Sequence, residues 1–147
     1  MSVSSWIEHA DGVIKASGRR SGGARHAVLE LLGGKECCVS AQEIHDELRA
    51  GGRSVGIASV YRILDLLSEY RLVQRVDVGD GIARFEPALV GTDHHHHVVC
   101  QDCGKVEPFT DGSLEQAIAG VSGRIGYAVA AHDVVLRGEC ADCSVSV

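Results

Sequence analysis

The most concentrated chemistry in this chain is two cysteine pairs, Cys100-x-x-Cys103 and Cys140-x-x-Cys143. Thiolates are soft ligands, and four of them match a closed tetrahedral zinc site that leaves no position for a substrate. Thirty-six residues separate the pairs, more than a compact zinc ribbon needs. The metal would therefore clip the early strands of a domain to its C-terminal end. Such a site contributes on the order of ten kcal/mol to a small fold. CxxC is also a redox motif, which makes a thiol–disulfide oxidoreductase the competing reading. Two pairs in one short segment, neither at an evident strand-to-helix turn, favour structural zinc.

Just ahead of the first pair stand four consecutive histidines, His94 to His97. The run is internal, unlike most expression tags, and passes directly into Val98-Val99-Cys100. In an extended segment successive side chains alternate. His95 and His97 then point one way, His94 and His96 the other, and the run can feed two sites on opposite faces. For any one of them the plain alternative is an imidazole facing solvent. Further ligands must come from Glu86, Glu115, His132, and Cys37 or Cys38.

The elements that must hold these groups belong to one compact domain or two small ones, at 147 residues. Charge divides the chain. Residues 1–85 carry eleven basic and eleven acidic side chains, whereas residues 86–147 carry three and nine, which accounts for the whole −6. Lys15, Arg19, Arg20 and Arg25 form a basic cluster with no acid between them, and a phosphate backbone responds to such a local patch more than to the net charge. There is no apolar run of about 18 residues to span a membrane, and the start lacks a basic flank followed by an apolar stretch. The expectation is a cytoplasmic protein whose thiols stay reduced.

A short first helix fits "SSWIEHADGVIKASG", with Trp6, Ile7, Ala10 and Ile14 roughly on one side. Three helical segments follow, in "ARHAVLELLGG", "SAQEIHDELRAGG" and "IASVYRILDLLSEYRLV", the second opened by a Ser40–Glu43 capping box. Two extended runs around "GDG" then predict a hairpin. Three helices and a hairpin are the order of a winged helix-turn-helix, in which the last helix enters the major groove. A generic helical bundle with an appended hairpin fits the pattern nearly as well. Past Pro87, "HHHHVVC", "KVEPF", "YAVAAH" and "DVVLRGEC" read as strands, and "SLEQAIAGVSGRIG" as a helix with a Ser113–Gln116 capping box. The fold class is α+β: residues 1–86 in one domain, a hinge over 87–93, and a small domain over 94–147.

"GIASVYRIL", the hairpin ending "RFE", "HHHHVVCQDCGKVEPF" and "AAHDVVLRGECADC" together resemble the ferric uptake regulator family of metal-dependent repressors, from about Lys15 to Cys143. The resemblance implies a winged-helix DNA-binding domain followed by a dimerisation domain, working as a homodimer. It implies structural Zn(II) on Cys100, Cys103, Cys140 and Cys143. It places Glu86, His95 and His97 in a regulatory site at the hinge, and His94, His96, Glu115 and His132 in a further metal site. His96 stands where aspartate is common. Cys38 replaces a usual histidine ligand, with His45 nearby as the alternative. Glu86 leans towards Fe(II) or Mn(II) and Cys38 towards Zn(II), since sulfur softens the site. Iron comes first, because Glu86 lies in the better-matched motif.

By the same resemblance Arg20 reaches into a minor groove, where narrow A·T tracts attract cations. Helical phase exposes Ser59, Tyr61 and Arg62 for base and phosphate contacts. A two-fold dimer reads a two-fold site, so the partner is double-stranded DNA bearing an A·T-rich inverted repeat. The implied function is metal-dependent repression of metal-uptake genes. A peroxide-sensing repressor of the same architecture is the nearest rival. An enzyme is not expected. His45-Asp46-Glu47 spells the H-x-E of zinc deaminases, but Val99 and Glu139 stand where those enzymes need proline before the CxxC.

Overall fold

The computed structural model describes residues 2–20, 22–89 and 95–144. His94 and residues 90–93 of the expected hinge lie outside these. The chain divides into two units, Met1–Thr92 and Asp93–Val147.

In the first unit, α1 (Val3–Ala16) buries Trp6, Ala10 and Ile14, spaced four apart along one face. α2 (Gly23–Gly33) crosses it closely at Gly33, where a Cβ would fall 2.9 Å from Val3 Cγ1 and 3.0 Å from Ile7 Cδ1. β1 (Val39–Ser40) leads into α3 (Ala41–Ala50), which opens on the expected Ser40–Glu43 capping box. α4 (Ile57–Glu69) buries Val60, Leu64 and Leu67, with Ile63 half-buried. The hairpin of β2 (Val73–Val76) and β3 (Arg84–Pro87) pairs Gln74 with Glu86, and β1 adds to the other edge of β3. Gly79 and Gly81 take φ of +85° and +80° at the turn, a conformation that favours glycine. The Trp6 indole N–H donates to the Leu72 carbonyl at 2.9 Å, tying α1 to the start of the wing. This is a winged helix around one apolar core.

The second unit centres on β4 (His96–Cys100), flanked by antiparallel β5 (Val106–Phe109) and parallel β6 (Val135–Gly138). A parallel pair needs a long crossover, which α5 (Gly112–Ile125) and the segment after it supply. Two expectations are corrected here. α5 is capped by Asp111, whose carboxylate accepts the Leu114 N–H at 2.9 Å, not by Ser113. The stretch "YAVAAH" forms no strand; it delivers His132 to Glu115 instead. Among the described residues of this unit only Val99, Cys100, His96 and His97 are buried, and α5 buries none.

Candidate metal centres

Cys100 ends β4, Cys103 follows in the turn, and Cys140 and Cys143 lie just past β6. Parallel pairing of Cys100 with Gly138 brings the two motifs together. The four Sγ atoms lie within 4.8 Å of one another, with Cys103 and Cys140 at 3.9 Å. Zn–S bonds of about 2.3 Å put tetrahedral sulfurs about 3.8 Å apart, so the donor set fits zinc. The backbone N–H groups of Cys103 and Cys140 point at Cys100 Sγ from 3.5 and 3.3 Å. They lower its pKa to about 6, so the thiolate is prepared for a metal. Cys143 is pushed up to about 12, first by Cys140 and then by Cys100 and burial. Crowded thiols resist ionising together, and a cation removes that conflict.

A second group joins β4, α5 and the segment before β6. Glu115 accepts from His96 Nε2 at 2.5 Å and from His132 Nε2 at 2.7 Å. The His96 bond, helped by His132, holds the Glu115 carboxyl below its ordinary range. The Val134 N–H donates to His96 Nδ1 at 3.2 Å, which leaves the His96 proton on Nε2, facing Glu115. A metal at Nε2 would displace that proton. The two nitrogens and the carboxylate form an N/O set that suits first-row divalent metals. His94, expected beside them, lies outside the described residues. His95 and His97 meet edge to face, ring centroids 4.9 Å apart, while His96 is directed to Glu115.

The first unit carries its own donors. Cys37, Cys38 and Glu86 place ligand atoms within 4.8 Å of one another. Glu86, on the wing strand, accepts a hydrogen bond from the Gln74 amide. The Cys37 thiol donates to Cys38 Sγ at 3.7 Å. That bond, burial and the negative groups at Cys37 and Glu86 push the Cys38 thiol far above its usual range. His45, the alternative ligand, stands apart from this group on α3, its Nδ1 3.5 Å from the Asp46 carboxylate. Cys37 was expected only as an alternative to Cys38, and Gln74 was not among the candidate ligands. The hairpin register centred on Asp80 already opposes Gln74 to Glu86, whereas nothing in the sequence brings Cys37 to Glu86.

On α4, Tyr61 is 53% exposed. Arg62 is exposed too, and its guanidinium donates to Ser59 Oγ at 3.0 Å. Gly56, the N-cap of α4, makes no side-chain cap, so it offers the first N–H groups of the helix no side-chain acceptor. Arg20 is exposed, and its carbonyl accepts from Arg25 Nη1 at 2.7 Å. Arg25 is itself buried, 3.7 Å from Asp11, and it anchors the basic segment. Reading Arg25 as one more surface charge had missed this.

The sequence profile of the ferric uptake regulator family matches residues 16–137. The ferric uptake regulation protein of Haemophilus influenzae is 37% identical over 103 residues, 70% of this chain and 69% of the relative. The Helicobacter pylori ferric uptake regulator, whose structure reveals three functional metal binding sites, superposes with a TM-score of 0.86 at 27% identity. The match covers 99% of this chain and 96% of that one. The Vibrio cholerae ferric uptake regulator gives 0.78 at 31%, over 88% and 98%. No helix among the described residues is long and apolar enough to cross a membrane. A match that begins in α1, crosses both units and ends in β6 makes this chain a member of the ferric uptake regulator family, a family of dimeric, DNA-binding, metal-responsive transcription regulators rather than enzymes.

Proposed function

We propose that the chain is a cytoplasmic repressor that binds an A·T-rich inverted repeat as a homodimer when metal is plentiful, and so shuts off metal-uptake genes. The observation that carries this reading is that metal donors are built into the DNA-reading unit itself. Cys38 and Glu86 flank its sheet, ahead of α3 and on the wing strand β3. In this reading residues 1–86 read DNA, 87–93 are the hinge, and 94–147 dimerise. Tyr61, Arg62 and Ser59 contact the major groove, and Arg20 the minor groove. The exposed Val121, Ile125, Tyr127, Val129 and Leu136 of the second unit meet a second copy of the chain.

Cys38, Glu86, His95 and His97 hold the regulatory ion. Cys100, Cys103, Cys140 and Cys143 hold structural zinc, and His94, His96, Glu115 and His132 a third ion. A bound ion supplies ligand bonds that favour one arrangement of the units, and DNA affinity rises only by the ion's differential affinity for that arrangement. Iron comes first as effector because of Glu86, with zinc second. Availability in the cell decides between them as much as affinity does.

Elemental analysis joined to DNA binding titrated separately with Fe(II), Mn(II) and Zn(II) tests the reading. About one tightly held zinc per chain and Fe(II)-stimulated binding are expected. His95→Ala and His97→Ala remain folded but lose the stimulation. Variants that respond normally to metal would remove these histidines from the regulatory site. Arg62→Ala weakens DNA binding by about 1–3 kcal/mol, and unchanged binding would remove α4 as the reading helix.

A further inference from the structure

Cys37 and Cys38 are sequence neighbours, and in an extended chain neighbours point to opposite sides. Here the chain bends at Glu36 and Cys37, immediately before β1. The bend turns both thiols to one side, with their Sγ atoms 3.7 Å apart. Two sulfurs bound to one zinc-sized ion at about 2.3 Å sit about 3.8 Å apart in a tetrahedron, so the pair is already spaced for a shared ion. Glu86 brings a carboxylate oxygen within 4.8 Å of both sulfurs. Cys38 is 7% exposed and Glu86 3%. Holding acidic groups together away from water is costly unless a cation joins them.

We propose that Cys37 and Cys38 chelate one thiophilic divalent cation through two thiolates, with Glu86 as an oxygen ligand. The regulatory site then has a sulfur donor pair where a single cysteine was expected. This rests on the reading of Cys38 and Glu86 as regulatory ligands and adds Cys37 to them. Two thiolates favour Zn(II), Co(II) and Cd(II) strongly over Mn(II), a hard ion suited to carboxylate and water. The chelate makes the intrinsic affinity for Zn(II) exceed that for Fe(II), whichever ion the cell makes available.

The test uses the full chain, reduced and preloaded with one zinc, titrated with Co(II) under anaerobic conditions. Near-ultraviolet thiolate-to-cobalt charge transfer reports the number of sulfurs bound, while zinc analysis verifies that the four-cysteine centre stays filled. Wild-type protein should show two-thiolate absorption. Cys37→Ser should lose about half of it and weaken Zn(II) binding tenfold or more in chelator competition, on the order of the losses known for outer-shell partners. Mn(II) binding should not change. A second measurement needs no variant, since added Zn(II) should slow alkylation of Cys37 in the wild-type chain. Absent charge transfer, or a Cys37→Ser spectrum equal to wild type, would overturn the chelate. DNA binding is scored separately in the same samples. Full charge transfer without any metal-dependent DNA binding would uphold the chelate and sink the regulator reading.

Discussion

The two units of this chain are held together by different physics. Among its described residues the first encloses seventeen buried apolar residues, from Trp6 to Phe85, in one cluster. The second, 55 residues long by the division of the chain, buries only two apolar side chains among its described residues, Val99 and Cys100, beside His96 and His97. A segment of that size has little apolar surface with which to offset chain entropy. What it has instead is a cluster of four cysteines, a carboxylate bridging two histidines, and an exposed apolar surface. Packing stabilises the first unit, while in the proposed reading the second depends on a metal and a partner.

The comparison breaks most directly at the four cysteines. Stripping zinc with a strong chelator, or Cys103→Ser, should cost the second unit about ten kcal/mol and unfold it. The helices of the first unit should persist, so calorimetry should show one transition lost and one retained. Protected amides in β4 after zinc removal would show that packing suffices there. In the first unit, Leu64→Ala should lower stability by about 2–5 kcal/mol, the cost of a core cavity, with zinc content unchanged by elemental analysis. Loss of zinc in that variant would mean the units are not energetically separate.

Two smaller effects sharpen the contrast. Ile125→Glu places a charge in the exposed apolar face of α5 and should weaken dimerisation by about 2–3 kcal/mol. Sedimentation would then find monomers in which the winged helix is still folded, whereas an intact dimer would place the interface elsewhere. The least effect concerns pH. The His96 bond, with that of His132, lowers the Glu115 carboxyl. Its contribution is therefore present above the ordinary carboxylate range and lost as pH falls through the lowered value. Acid titration of the second unit's melting should flatten in Glu115→Gln, and an unchanged acid limb would remove Glu115 from the account.

Much of the fold was legible because helical periodicity and turn residues are local signals. Trp6, Ala10 and Ile14, the Ser40–Glu43 box and the "GDG" turn each declare their structure within a few residues. The misreadings in the second unit were local rules overridden by neighbours. Asp111 caps α5 where Ser113 also fitted, and "YAVAAH" had a strand's composition but runs unpaired into His132, which bonds Glu115. Of the candidate ligands, the two CxxC motifs and the alternation along the histidine run could be read directly, since spacing alone defines them.

By itself, the sequence determined the two-unit organisation in charge, the ligand types available and the helix that carries Tyr61 and Arg62, because composition and periodicity act over short distances. Only the tertiary structure decided which distant donors meet. Parallel pairing of β4 with β6 joins Cys100 to Cys140, and the crossover through α5 carries Glu115 to His96 and His132. A bend before β1 turns Cys37 towards Cys38, beside Glu86. Side-chain types fix what chemistry a residue can do, but coordination needs several of them within a few ångströms, and that proximity is a property of the folded backbone.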